Sequence, residues 1–320
     1  MSKRRLELRP IHFILVAIVL SATVACRHEP VLEVMPAHFE NDRVFLHSIT
    51  RDGRAIRFVT DTGGGWNAIK ASVARDLEPA LEQGGDTIQF PDFSEDSGIP
   101  RNLLFRDGNL VVVDDKELAE GVDGFLGGRW FGDLVWEFDY LNAKLTLLER
   151  YHIPRNALAH EVRLGFQVNE KGMRTMHFPR MQIAVDDQVI DVLLDTGAKA
   201  QFSEVGAEYF GKEHGVSVGT SFISQSIFDN WIEQHPDWTV LHRAESLRGQ
   251  FYSMIEVPAL TVGGHTVGPV WFTARPDSAF VDYMSSMMDQ TVHGALGGSA
   301  FRYFRFVVDY PRSSAWFLVD

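Results

Sequence analysis

Half of this chain repeats the other half. Asp61-Thr62-Gly63 and Asp195-Thr196-Gly197 each close an apolar run that reads as a strand, residues 56–60 and 189–194. Further on stand Gly124-Phe125-Leu126-Gly127-Gly128 and Gly294-Ala295-Leu296-Gly297-Gly298. Aligned on the first glycine, the following residues match without a gap: Phe131 falls opposite Phe301, and Asp139-Tyr140 opposite Asp309-Tyr310. A single Asp-Gly turn means little, because such turns occur wherever a strand reverses. Two of them, each followed by the same second signature, mean that one structural unit has been used twice. An internal repeat decides architecture before any local preference does.

Between these landmarks the chain alternates aromatic and β-branched residues, punctuated by Gly, Asp and Asn turns, which indicates mostly strand. Residues 181–187 read as a strand entering a tight turn at Asp186-Asp187, and residues 257–264 as a strand ending at Gly263-Gly264. Helical spacing is confined to two short stretches, 226–233, which stops before Pro236, and 278–288. From triplet to second signature is 63 positions in the first half (61 to 124) and 99 in the second (195 to 294). The surplus is expected around residues 211–250 and in the stretch before Gly294.

These motifs resemble those of the two-lobed aspartic peptidases of the pepsin and retropepsin kind. In that family a strand leads into Asp-Thr-Gly, and a later apolar-apolar-Gly segment threads behind the catalytic loop. A strand with an Asp-Tyr-like turn then closes the unit. Phe125-Leu126-Gly127 and Ala295-Leu296-Gly297 occupy the threading position. Residues 135–148 and 304–318 resemble the closing hairpin. The resemblance spans about residues 41–320. It implies a mainly β, bilobal acid-protease fold of two pseudo-symmetric, closed-barrel-like lobes with a few short helices. The lobes would cover 41–150 and 163–320, joined by a connection at 151–162.

The resemblance also implies a catalytic pair, Asp61 and Asp195, acting as an endopeptidase on peptide or protein substrates. Two carboxylates held a hydrogen bond apart cannot both ionise easily, so they share one proton; the aspartic-protease dyad is the standard illustration of that rule. The ionised member takes a proton from a water, which attacks the amide carbonyl, and the protonated member donates toward the carbonyl oxygen. Neither a metal nor any other cofactor is required. Gly63 and Gly197 would let the two loops approach closely, and Thr62 and Thr196 would bond across the pseudo-two-fold axis. Both half-sites lie on one chain, which implies a monomer. A non-catalytic peptide-binding lipoprotein that kept the cleft is the competing reading.

Two departures from the family pattern stand out. The positions after the triplets are Gly64 and Ala198, where many relatives carry Ser or Thr. Losing that hydroxyl donor favours the neutral acid, so a less acidic working range is expected. Pepsin-like lobes also carry a Tyr on a flap, but residues 64–123 contain none. Phe90 and Phe93 read as hairpin or core aromatics, with apolar cover over the cleft as the other reading; Trp66 reads as a buried packing residue, with the lining of a substrate pocket as the other.

The amino terminus is basic (Lys3-Arg4-Arg5), then apolar from Ile11 to Ala25, and ends in Thr23-Val24-Ala25-Cys26. That order describes a secretory signal, and its fifteen-residue, mainly apolar stretch falls short of the about 20 residues needed to span a bilayer. Cys26, the one cysteine in the chain, follows the small residues as in a bacterial lipoprotein signal. A cleaved signal with an incidental Cys and an uncleaved anchor are the other readings. The expectation is a signal over 1–25, then a lipidated Cys26 and tether over 26–40, placing the body on the extracytoplasmic side of a bacterial envelope membrane. Removing 1–25 takes away four basic residues and one acidic, moving the net charge from −13 to −16. Such a surface disfavours nucleic acid and charge-driven docking on anionic lipid. The chain lacks an HExxH pair, a Gly-x-Ser-x-Gly elbow and a phosphate-cradling loop.

Overall fold

The computed structural model describes residues 31–78, 86–95, 99, 108–119, 121–153 and 160–319. The signal segment, Cys26 and the middle half of the expected connection, 154–159, lie outside them. The described chain is mainly β, in three large sheets and one two-stranded ribbon.

One sheet has six strands, in the order Val31–Val34, Lys144–Leu148, Val135–Asp139, Arg305–Asp309, Ser314–Leu318, Glu161–Arg163. Its middle is the meeting of the two repeated hairpins. Val135–Asp139 and Arg305–Asp309 run antiparallel with Glu137 opposite Val307. Those two residues are also each other's equivalents in the repeat, so the local two-fold axis passes through that pair. On either side Trp136 faces Val308 and Phe138 faces Phe306. Phe138 and Phe306 stack with centroids 5.0 Å apart, at the centre of a core that also buries Phe58, Phe131, Phe301 and Phe317. Such contacts add about 0.5–1.5 kcal/mol per aromatic pair beyond area burial.

The repeated Asp-Tyr has a local cause. Asp139 Oδ1 accepts from the Asn142 amide at 2.9 Å, and Asp309 Oδ1 from the Arg312 amide at 3.0 Å. Each carboxylate thereby organises the same turn, ending in a left-handed residue, Ala143 in one copy and Ser313 in the other.

The second sheet belongs to the first half and orders Ala37–Glu40, Arg43–Ile49, Ala55–Thr60, Gly124–Leu126, Ala68–Lys70, Asn109–Val113, Thr87–Gln89. The third has nine strands: Val240–Leu247, Gln250–Val257, Val270–Arg275, Ser221–Ser224, Gly294–Leu296, Gln188–Leu194, Arg180–Val185, Leu260–Val262, His265–Val267. Their centres correspond. Thr60 pairs with Leu126 and Leu194 with Leu296, both in parallel; Ile69 pairs with Gly124 and Ile223 with Gly294, both antiparallel. The hairpin turns at Asn41-Asp42 and Gly263-Gly264 place both central residues at positive φ, which matches the twist of the flanking strands.

Several expectations change. None of the sheets closes into a barrel; each is an open strand order with two edges. The stretch 31–40, expected as tether, is strand: Val31 pairs with Leu148, and Ala37 with Leu46. The helix expected at 226–233 is Gln225–Gln234, and 278–288 holds two short helical turns, Ser278–Tyr283 and Met284–Met287. Strand pairing makes Phe222 the counterpart of Ala68. The largest block of surplus chain therefore follows Asp195 directly, where Lys199–Gln201, the helix Glu204–Phe210 and Ser217–Gly219 are inserted. No helix among the described residues is long and apolar enough to cross a membrane.

Candidate active site

Each aspartate leaves the end of its strand in the same way. The Asp61 amide donates to Leu126 O and the Asp195 amide to Leu296 O, both at 2.9 Å. The strand that reads Phe-Leu-Gly or Ala-Leu-Gly thus fixes the backbone of the triplet. The glycine after it is held by a side chain from the neighbouring strand: Asn67 Oδ1 accepts from the Gly127 amide at 2.9 Å, and Ser221 Oγ from the Gly297 amide at 3.1 Å. Asn67 and Ser221 are equivalent positions. They went unnoticed in the sequence because the two residues differ, although both supply one acceptor at the same point.

The two triplets interlock. The Thr62 amide donates to Thr196 Oγ1 at 3.2 Å, and the Thr196 amide donates to Thr62 Oγ1 at 3.0 Å. Thr62 Oγ1 in turn donates a hydrogen bond to Leu194 O at 2.8 Å. Both threonines are fully buried, so each bond is worth about 1 kcal/mol and each orphaned partner would cost more. These bonds join residues separated by more than a hundred positions and hold the two aspartate loops in one register.

Asp61 and Asp195 come within hydrogen-bonding reach of each other across this lock. The close approach requires the glycines. A Cβ on Gly63 would lie 2.5 Å from Asp195 Cγ, and one on Gly197 would overlap Asp61 Cγ. Gly64 has a related reason: a Cβ there would lie 2.9 Å from Asp61 Oδ2. The Gly64 amide is one of the donors facing Asp61. The missing hydroxyl at 64 therefore goes with tight packing against the carboxyl.

Both aspartates keep some solvent exposure, but the protein surrounding their carboxyls shifts them toward the neutral acid. Burial raises the pKa of Asp61, opposed by the bond from Asp195, the Arg43 charge and the amides of Gly63 and Gly64. Burial raises Asp195 further, and the neighbouring charge of Asp61 adds to it. The environments are thus unequal, with the stabilising cation on the Asp61 side. Two backbone amides face each carboxyl, those of Gly63 and Gly64 at Asp61 and those of Gly197 and Ala198 at Asp195, and the pair shares its charge and titrates as a unit.

The other sequence readings fall out simply. Phe93 is buried and Phe90 packs against the same core, both touching Phe58. Trp66, expected to pack inside, is 47% exposed instead; its carbonyl, not its ring, contacts the core, beside Gly127. Arg43 and Lys199 complete the surroundings of the dyad and carried no motif that could have flagged them. No protein-family model matches the chain, and no curated protein matches it.

Proposed function

We propose that this protein is an aspartic endopeptidase with a bilobal, pepsin- or retropepsin-like body, each repeat forming one lobe. The observation that carries the reading is the meeting of Asp61 and Asp195 across a threonine lock at a local two-fold axis. Binding a peptide needs neither an intact second triplet nor a close carboxyl pair, which favours the enzyme over a non-catalytic peptide-binding protein. In the reaction, the ionised member of the Asp61–Asp195 pair, held by the backbone amides that face it, removes a proton from the attacking water. The other member holds the shared proton and donates it toward the carbonyl oxygen as the tetrahedral intermediate forms. General acid–base assistance of this kind contributes about 10²–10⁴-fold. Both half-sites are in one chain, so the working unit is a monomer.

The test is incubation of the body with a mixed peptide library, with and without pepstatin. Pepstatin-sensitive cleavage is the expected result; tight binding without cleavage would support the peptide-binding alternative. The pH dependence is a second check. The productive state holds one proton on the pair, between its two apparent pKa values. Burial raises both carboxyls, and the charge of Asp61 raises Asp195 again, so that window moves upward. The kcat/KM optimum is expected above about 3.9, the pKa of a free Asp; an optimum below it would contradict this account of the dyad.

The protein is also proposed to be secreted and held by lipid on Cys26 at the extracytoplasmic side of a bacterial envelope membrane. The order of basic, apolar and small residues before that lone cysteine supports this. Full-length protein is expected in the membrane fraction, labelled by radioactive palmitate. Cys26→Ser is expected to abolish the label; label persisting in that variant would remove the anchor.

A further inference from the structure

A cavity of about 870 Å³ opens where the two halves meet, lined by Arg43 and Arg57 of the first half and Lys199, Glu245 and Arg248 of the second. Neither aspartate lines it; its link to the dyad runs through Arg43 and Lys199. In the hairpin that carries Asp61, Phe45 pairs with Val59, so Arg43, two residues earlier, stands level with Asp61, two residues later. Lys199 follows Asp195 by four residues, and Arg43 and Lys199 both interact electrostatically with Asp61 and with each other.

The cations of this cavity are unequally satisfied. Arg57 is taken by Glu40 at 2.7 Å, and Glu245 is engaged by both terminal nitrogens of Arg275, at 2.5 and 2.8 Å. Arg43 is 4% exposed, rests over the Phe45 ring at 4.9 Å, and its buried Nε has no hydrogen-bond partner among the described residues. Burial and the facing cation Arg57 lower its pKa to about 10, and burial with Arg43 lowers Lys199 to about 8. A buried cation with an unpaired donor, facing a second, half-buried one, is costly unless an anion arrives.

The opposite side of the dyad is different in kind. Arg180 pairs with Leu193, so the position level with Asp195 is Phe178. The counterpart of Lys199 is Gly65, and a Cβ there would sit 3.3 Å from Phe178 Cζ and 3.5 Å from Met176 Cε. Where one half presents Arg43 against Lys199, the other presents Phe178 against glycine. The repeat has kept the aspartates and diverged in charge on either side of them.

We infer that the Arg43–Lys199 cavity is a subsite for a carboxylate of the peptide substrate, close to the scissile bond, while the Phe178 side takes an apolar side chain. The carboxylate is that of an Asp or Glu side chain or of the peptide's own C-terminus. This assignment rests on the peptidase reading above and adds the substrate class to it.

The test uses the full chain and quenched fluorescent peptides with an apolar residue on one side of the cut. One set carries Glu, Gln or Lys at successive positions on the other side; a second carries Gln there and ends in a free carboxylate or an amide. A charge-assisted contact predicts that the preferred Glu or free-carboxylate peptide has roughly tenfold to hundredfold higher kcat/KM than its Gln or amide partner. Which set shows the gain tells the side chain from the C-terminus. Lys199→Glu, at a partly exposed position, is expected to reverse the preference toward Lys, and Arg43→Gln to flatten it. Equal cleavage of all peptides by the wild type overturns the subsite and leaves the peptidase standing. If nothing is cleaved, fluorescence anisotropy of the same peptides on Asp195→Asn decides. Carboxylate-selective binding reversed by Lys199→Glu sustains the subsite without the peptidase, and unselective binding overturns it.

Discussion

Asp61→Asn and Asp195→Asn are each expected to lower kcat/KM by about a thousandfold or more, with the double variant scarcely worse than either single one. The reason is that the pair acts as one unit: removing either carboxyl leaves no site that can both accept and donate a proton. The measurement is steady-state cleavage of the best library peptide, and a single variant keeping wild-type kcat/KM removes the dyad from the mechanism. The same substitutions should act in the opposite direction on stability. Burial raises the folded-state pKa of Asp195, and the charge of Asp61 raises it again, so the folded form binds its proton more tightly than the unfolded chain does. The stability this contributes is fully present below the unfolded pKa of about 3.9 and is lost as pH rises through the folded value. At pH 7 the wild type thus bears a cost that Asn at 195 does not. Asp195→Asn should melt higher at pH 7, by about 2–4 °C for each kcal/mol recovered, and the gain should vanish toward pH 3. Asp61, with Arg43 beside it, should show the same sign and a smaller gain.

How much of this was legible beforehand follows from where each constraint is written. The duplicated residues are those whose job is the same in both halves. Asp139 and Asp309 make the same turn, Phe131 and Phe301 fill the same core, and Gly127 and Gly297 sit behind the same loop. A two-fold arrangement imposes such identities, so the repeat announced the pairing of Asp61 with Asp195. Arg43 was invisible because its meaning comes from strand register: it matters through standing level with Asp61 across a hairpin, and no periodicity marks that. Lys199 falls opposite Gly65, a residue without a side chain, so alignment of the repeats showed no shared identity there and passed over it. Strands at 31–34 and 37–40 are short edge additions whose partners, Leu148 and Leu46, lie elsewhere in the chain. Barrel closure is a property of which edges meet, and strand patterns alone carry no record of that. Trp66 reads as apolar bulk, but the tight turn of Gly63-Gly64-Gly65 sends its ring outward while its backbone packs.

The second large effect is expected at Gly297→Ala, a substitution that touches no charged group. Gly297 lies between the strand Gly294–Leu296 and the loop of Asp195. A Cβ there would fall on the carbonyl oxygen of Thr220, and would also stand 2.8 Å from Ala198 Cβ and 3.1 Å from Asp195 O. Backbone blocks it on two sides, so no rotamer change relieves the overlap and the strand or the aspartate loop must move. Moving the strand strains the Asp195 amide bond to Leu296 O and the Gly297 amide bond to Ser221 Oγ, 2.9 and 3.1 Å long. Overpacking against backbone in a filled core costs about 3 kcal/mol or more, and a displacement of about 1 Å at a catalytic group costs on the order of a hundredfold in rate. Gly172→Ala supplies the control: Gly172 has φ 73° and nothing within 4 Å of its would-be Cβ, so it reports left-handed strain alone, about 1 kcal/mol. Denaturant unfolding of the two variants should differ by about 2 kcal/mol, and only Gly297→Ala should lose turnover at a temperature where both are folded. Equal behaviour of the pair would show that the threading strand does not hold Asp195 in place, and the geometric basis for the dyad would have to lie elsewhere.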